Sequence, residues 1–297
     1  MVKDTSLSGK VLDVVVYTVM IWVLIVTLYP VLHVLASSFS SRVANDTGIV
    51  TIFPVGFTLE SYKMIIDAGT VIHSFRNSVL YTTIGTIINL FLTGTFAYGL
   101  SRKKMPLRKL YTTIAIIPMY FSGGMIPTFL LVVNLGLYNS MWALLLPGAI
   151  GITNMIIMRT FFMSMPAELE ESAGLDGAND IVIFAKIILP LSSAIIATMT
   201  LFYAVGHWNS WFSAMIYLSD SRKYPLQMIL RQIVIMASDI REVAESAGFT
   251  TDAFMGEVNL IGVRYATLFL SIFPMLLIYP FIQRHFVKGV MIGSLKG

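Results

Sequence analysis

Residues Glu171–Pro190 read ESAGLDGANDIVIFAKIILP, a polar, acid-bearing interruption between two long apolar runs. A chain that only reversed direction here could use a short polar turn. This stretch is longer and patterned: a glutamate, the small residues Ser172, Ala173 and Gly174, a glycine at 177, then a return to apolar sequence through Ile187, Leu189 and Pro190. Pro166 suits a first helical turn, where its missing N–H costs nothing. Glu168, Glu170 and Glu171 then lie near the positive end of that helix's dipole. Gly177 fits the left-handed position that ends a helix, Asp180 the cap of the next one, and Pro190 a bend within it. The expectation is two helices joined by a turn, a shape that serves either docking or plain connection.

The flanking composition sets the class. The chain has 297 residues, 56% of them hydrophobic and 12% charged, with a mean hydropathy of +0.79. A soluble domain carries about twice that share of charge. Apolar runs near Val11–Ala36, Ser74–Leu100, Leu107–Leu135, Ser140–Met163, Ile187–Leu218 and Ile261–Phe286 each reach the roughly 20 residues that cross a bilayer. The fold class is therefore all-α, a polytopic membrane protein with about six transmembrane helices in a single domain spanning 1–297. The first run is longer than the roughly 7–15 residues of a signal-peptide core and ends without a small-residue cleavage site, so it reads as a retained span. The absence of cysteine excludes disulfides and thiolate chemistry. The sequence pI near 9.2 comes from Lys and Arg at span ends and gives no reason to expect nucleic acid.

Those basic residues orient the chain. SRKKMPLRK after the second run holds Arg102, Lys103, Lys104, Arg108 and Lys109 without one acid; Lys3, Lys10, Arg284, Lys288 and Lys296 mark the two ends. The excess of Lys and Arg on cytoplasmic loops puts both termini inside. The loop 164–186 and the tail 287–297 are then cytoplasmic, and the loops 37–73 and 219–260 lie outside. No acid occurs between Asp67 and Glu168. Ion-coupled carriers keep a carboxylate within the membrane, which weighs against self-powered transport. His33, His73, His207 and His285 are scattered and neither GxSxG nor HExxH occurs, so no catalytic residue and no metal ligand is assigned. Pro118, Ser122, Gly123, Gly124 and Pro127 interrupt the third run, as helices that line a substrate path do, although packed kinks have the same composition.

The opening segment resembles the coupling motif of ATP-binding-cassette importer permeases: Glu-Ala-Ala, then Gly, then Ile-x-Leu-Pro after a fixed gap. Glu171, Ala173, Gly177, Ile187, Leu189 and Pro190 fall in register, Asp176-Gly177-Ala178 matches the sugar-importer version, and Ser172 departs from the middle alanine by a small-for-small change. FTLESYKMII, RNSVLYT and the closing GVMIGSLKG are similar to the smaller permease of carbohydrate importers. WNSWFSAMIYLSDSRKYPLQ, Trp208 to Gln227, resembles the oligosaccharide and polysaccharide branch, which includes alginate importers.

The resemblance implies a type I importer permease fold in the bacterial cytoplasmic membrane. It implies a second permease subunit, two ATPase subunits that use ATP and Mg, and an extracytoplasmic solute-binding protein; the chain itself holds no cofactor. It has no GxxxxGK[ST] phosphate loop and is not expected to be an enzyme. The tail Gly289–Gly297 is expected at the ATPase interface, and the outer loop Tyr224–Ala237 either touches the binding protein or sugar or lies on the membrane surface. Sugars are held by polar groups and aromatic faces, which makes Tyr120, Asn154, Trp208 and Asn209 candidates for the pathway. An Asn in a span also serves as a helix–helix hydrogen bond and Trp208 as an interface anchor, and His207 reads as structural. Two alternatives remain at this point: an amino-acid or peptide permease with the same coupling motif, and an ion-coupled carrier, which leaves the loop unexplained.

Overall fold

The structure, a computed structural model, describes residues 7–121, 123–235 and 259–294, with side chains from Gly9 to Ile278 within those ranges. Ser122, part of the outer loop 219–260 and the side chains of the tail 287–297 lie outside the described residues. Along the chain run α1 (Leu7–Ser38), α2 (Arg42–Asp46), α3 (Glu60–Ala68), α4 (Thr70–Ser101), α5 (Arg108–Tyr120), α6 (Met125–Asn134) and α7 (Trp142–Leu145). They are followed by α8 (Ile152–Met163), α9 (Ala167–Leu175), α10 (Asp180–Leu191), α11 (Ser193–Trp208), α12 (Phe212–Tyr217), α13 (Leu226–Ile235) and α14 (Leu260–Ser294). No strand occurs among the described residues.

Three helices are long and apolar enough to cross a bilayer unbroken: Gly9–Ser38, Thr70–Ser101 and Leu260–Ile278. None of the apolar window of α1 is buried inside the chain, and its side chains are apolar all round, which suits contact with lipid or another subunit. The third and fifth expected spans are bent pairs, which brings the number of crossings to as many as five. In the third, α5 ends at Tyr120 and α6 begins after Gly124, whose φ of +85° only glycine adopts freely. In the fifth, the bend of 83° between α10 and α11 falls at Ser192, two residues beyond the expected Pro190. Proline has no N–H and its ring crowds the carbonyl four residues back. The chain answers with a π turn over Phe184–Ile188, in which the Leu189 N–H bonds the Phe184 carbonyl.

The fourth run differs most from expectation. Ser140–Met163 reads as one span, yet α7 stops at Leu145 and α8 restarts only at Ile152, after Pro147, Gly148 and Gly151. The 12 residues of α8 rise about 18 Å, short of the roughly 30 Å hydrocarbon core.

The chain packs as two units. In the first (1–71 and 232–272), the end of α1, α2, α3 and the start of α14 meet around buried amides. Asn45 Nδ2 donates to the Ser37 carbonyl at 3.1 Å, and Asn259 Nδ2 donates to the Ser40 carbonyl at 3.2 Å. Asn259 Oδ1 accepts the Gly262 N–H at 2.8 Å. Phe39 stacks between Phe57 and Tyr62. In the second unit (72–231 and 273–297), α4, α8, α10 and α11 bury Leu100, Met155, Met158, Phe162, Ile188 and Met199 in one core.

Candidate functional site

The helix–turn–helix forms as its sequence predicts, with two changes: Pro166 stands just before the first turn of α9 rather than in it, and the cap of α10 falls one residue early. Pro166 precedes α9 with an extended ψ of 130°, where its absent N–H is not missed. At the other end the Ala178 N–H bonds the Ala173 carbonyl at 3.0 Å and the Gly177 N–H bonds the Gly174 carbonyl at 3.1 Å, a Schellman closure that needs the left-handed φ of +83° at Gly177. Asn179, rather than Asp180, caps α10: its Oδ1 accepts the Val182 N–H at 2.9 Å. A cap needs extended backbone, which Asn179 has with ψ 166°, whereas Asp180 is already inside the first turn.

The nine motif residues divide between two surfaces. Glu171, Ser172, Asp176, Gly177 and Pro190 are exposed; Ala173, Ala178, Ile187 and Leu189 turn inward, and Ala173, Ala178 and Ile187 pack on the core. No residue of α9 is buried. Beside the exposed polar set, the apolar side chains of Leu175 and Ile181 are 90% and 77% solvent-accessible.

The sequence reading missed what anchors this element. Arg102 counted there as one of five basic residues. Its guanidinium pairs with Glu170 on α9 and with Asp180 on α10, the second at 2.8 Å. A contact between positions 78 apart has no spacing rule that would reveal it.

The pathway candidates are less unified. Tyr120 ends α5 and is 74% exposed. Trp208 is buried, edge-on to Phe75 with ring centroids 5.8 Å apart. Asn209 turns back on its own helix, its Nδ2 donating to the Val205 carbonyl at 3.0 Å. Asn154 lies one turn into α8, beside Gly151.

A polar network not expected from sequence lies around the break between α7 and α8. Asn89 of α4 is 1% exposed, and its Nδ2 donates to the freed carbonyls of Gly148 at 2.7 Å and Ala149 at 2.9 Å. Its Oδ1 accepts from His207 Nε2, which fixes the amide's orientation and the imidazole's proton position. Tyr203 of α11 accepts the Gly151 N–H at 3.2 Å, and its hydroxyl meets Thr93 Oγ1 at 2.7 Å. Broken backbone at membrane depth is tolerated only where protein or water satisfies it. Here α4 and α11 supply that satisfaction, and Gly85 lets the His207 ring approach: a Cβ there would meet it at 2.5–2.8 Å.

The RNSVLYT stretch also acquires a task. Asn77 Nδ2 donates to the Arg222 and Tyr224 carbonyls, Tyr81 Oη donates to the Lys223 carbonyl at 2.9 Å, and Ser78 Oγ accepts the Leu226 N–H at 2.8 Å. The first turns of α4 thus hold the loop entering α13.

Residues 90–292 match the family described as binding-protein-dependent transport system inner membrane component. The chain belongs to this family. The matched span holds the helix–turn–helix and the α7–α8 break with its partners Thr93, Tyr203 and His207, and it begins one residue after Asn89. Among relatives of this inner membrane component, the polygalacturonan/rhamnogalacturonan transport system permease protein YtcP of Bacillus subtilis (strain 168) is 41% identical over 98% of this chain and 100% of its own length. Protein LplC of the same organism is 43% identical over 98% of this chain and 96% of its own. A solved structure of a bacterial ABC transporter involved in the import of the acidic polysaccharide alginate contains a chain with 31% identity and a TM-score of 0.85. The match covers 95% of this chain and 99% of that one. The fold is accordingly that of an importer permease, and the chain is a membrane permease subunit rather than a catalytic one.

Proposed function

We propose that this chain is one of two permease subunits of an ATP-driven importer for oligosaccharides or polysaccharides, with acidic, uronate-bearing sugars as the favoured substrate class. A binding protein delivers the sugar at the outer face, and two separate ATPase subunits, using ATP and Mg, power alternating access from the cytoplasmic side. Nucleotide-driven closure of the ATPases pulls on α9, and the packed helices α4, α8, α10 and α11 carry the movement into the membrane.

The observation that carries this reading is the uncovered tip of the helix–turn–helix. α9 is locked by its Schellman turn, buries no residue and presents Glu171 and Leu175 outward, with Ile181 exposed on the first turn of α10. That combination of a rigid shape with apolar side chains in water is what a cleft on a partner would cover. The substrate class is supported by the relatives, one described as carrying polygalacturonan and rhamnogalacturonan and another, of solved structure, as importing alginate.

The test is substrate-stimulated ATP hydrolysis by the assembled transporter in lipid vesicles. Glu171→Lys reverses a charge on the docking face, and Gly177→Asp places a side chain where φ is +83°. Both are expected to leave the permease inserted and to abolish stimulation. Parent-like hydrolysis and uptake in both would refute the docking role. Uptake of oligogalacturonate in preference to a neutral oligosaccharide of equal length supports the substrate class, and the reverse preference contradicts it.

A further inference from the structure

A docked helix moves the membrane part only if something rigid joins the two. The exposed α9 reaches the core through one small side chain, Ala173, and the turn after it through another, Ala178, which together offer little surface to push on. Arg102, one residue beyond the end of α4, is the polar connection, and its side chain is only 19% exposed. One guanidinium nitrogen pairs with Glu170 on α9 and another with Asp180 Oδ1 on α10, so a single planar fork spans both arms of the turn at Gly177.

The base of that fork is itself fixed. The guanidinium lies over the Tyr98 ring, 5.5 Å from its centroid. Tyr98 stacks on Phe184 of α10 at 4.7 Å and meets Phe162 of α8 edge-on at 6.2 Å. The Leu100 carbonyl, among the last four of α4 that lack an intrahelical donor, accepts Arg159 Nε from α8 at 3.0 Å. The end of α4 is therefore held from α8 and α10 before Arg102 reaches out to the turn.

We propose that Arg102 is the positioning residue that makes α9, α10 and the end of α4 move as one piece, so that force applied at the docking face reaches the membrane helices. The inference rests on the reading of α9 as the ATPase-docking element. The arm to Asp180 ends on a 71% exposed carboxylate and contributes little to stability, and the role assigned to the fork is positioning rather than holding the fold together. The fork's geometry is what matters: a guanidinium presents donors in a rigid plane and engages two carboxylates at set angles, which the single ammonium of lysine does not reproduce.

The experiment measures sugar taken up per ATP hydrolysed, together with basal hydrolysis and the amount of assembled complex, for the complete transporter in lipid vesicles. Arg102→Gln is expected to assemble and to hydrolyse ATP at the parent's basal rate, while uptake per ATP falls about fivefold or more, the low end of ordinary coupling between sites. Arg102→Lys should lie between the two, and Asp180→Asn, which removes one arm at a 71% exposed carboxylate, should lose less than Arg102→Gln. An unchanged ratio in Arg102→Gln overturns the proposal. So does a parallel fall of hydrolysis and uptake that leaves the ratio intact, because that reports only weakened structure. Should Arg102→Gln fail to assemble, Asp180→Asn and Glu170→Gln decide, and unchanged ratios in both overturn it. A parent complex without ATP-driven uptake would refute the functional reading itself, which keeps the two failures distinct.

Discussion

Gly85→Ala puts a number on the network around the α7–α8 break. The added Cβ would stand 2.5 Å from His207 Nε2, 2.6 Å from Cε1 and 2.8 Å from Cδ2, all far inside contact distance. The imidazole can swing away only by releasing Asn89, whose amide is committed to the Gly148 and Ala149 carbonyls. Forcing a methyl into a packed site costs about 1–3 kcal/mol. Losing the Asn89–His207 bond adds roughly 1 kcal/mol. Replacing a helical glycine by alanine returns about 0.5–1 kcal/mol. The net expectation is destabilisation of about 1–3 kcal/mol, with overpacking as the larger effect. Thermal unfolding of the purified permease in a fixed detergent measures it. In a His207→Ala background, where the ring is gone, the same Gly85→Ala change should be neutral or stabilising, which gives a coupling of about 1 kcal/mol or more between the two sites. A Gly85→Ala protein as stable as the parent in both backgrounds would refute the close approach and the role given to it.

Other consequences are checkable separately. Asp220 accepts hydrogen bonds from the Arg222 side chain and backbone N–H, which hold its carboxyl below the usual range. Its folded value is thus the lower one, so the stabilisation is present above about 3.9, the ordinary carboxylate value, and disappears as pH falls through the folded value. Hydrogen exchange at the Arg222 amide, corrected for intrinsic rate, should show constant protection from about pH 7 to pH 4, and loss of protection already near pH 5–6 would contradict the assignment. Asn77→Ala removes both side-chain bonds to the Arg222 and Tyr224 carbonyls and should raise exchange across residues 222–228 without slowing assembly. Unchanged exchange there would mean that Ser78 and Tyr81 alone hold the loop. The chain purified without partners should neither hydrolyse ATP nor take up sugar under an ion gradient; gradient-driven uptake would favour the ion-coupled carrier.

Much of the fold was readable because uninterrupted apolar length is a strong signal, and α1, α4 and α14 appear where hydropathy puts them. The turn at Gly177 was legible for a different reason: a left-handed helix end has few residues that tolerate it. The fourth run was misread because hydropathy sees side chains and not backbone. Leu144 to Ile150 is as apolar as a helix, yet Pro147 and Gly148 end it, and only the partners Asn89 and Tyr203 make the break affordable. The Asn179 cap was missed by one residue, since a cap is set by backbone angle and both candidates carry suitable oxygens. Asn89 and Arg102 were invisible as functional residues, each acting across dozens of positions on groups that no periodicity links to it.

The most direct test of the central claim uses the absence of cysteine from the whole sequence. Leu175→Cys creates a unique thiol at the 90% exposed tip of α9. In the assembled transporter that thiol should resist a water-soluble maleimide, cross-link to an ATPase subunit through a short bifunctional reagent, and change its cross-linking yield when ATP is added. In the isolated permease it should label fully. Equal labelling in both preparations, with no cross-link to an ATPase under any nucleotide condition, would contradict the reading of this helix–turn–helix as the site through which transport is powered.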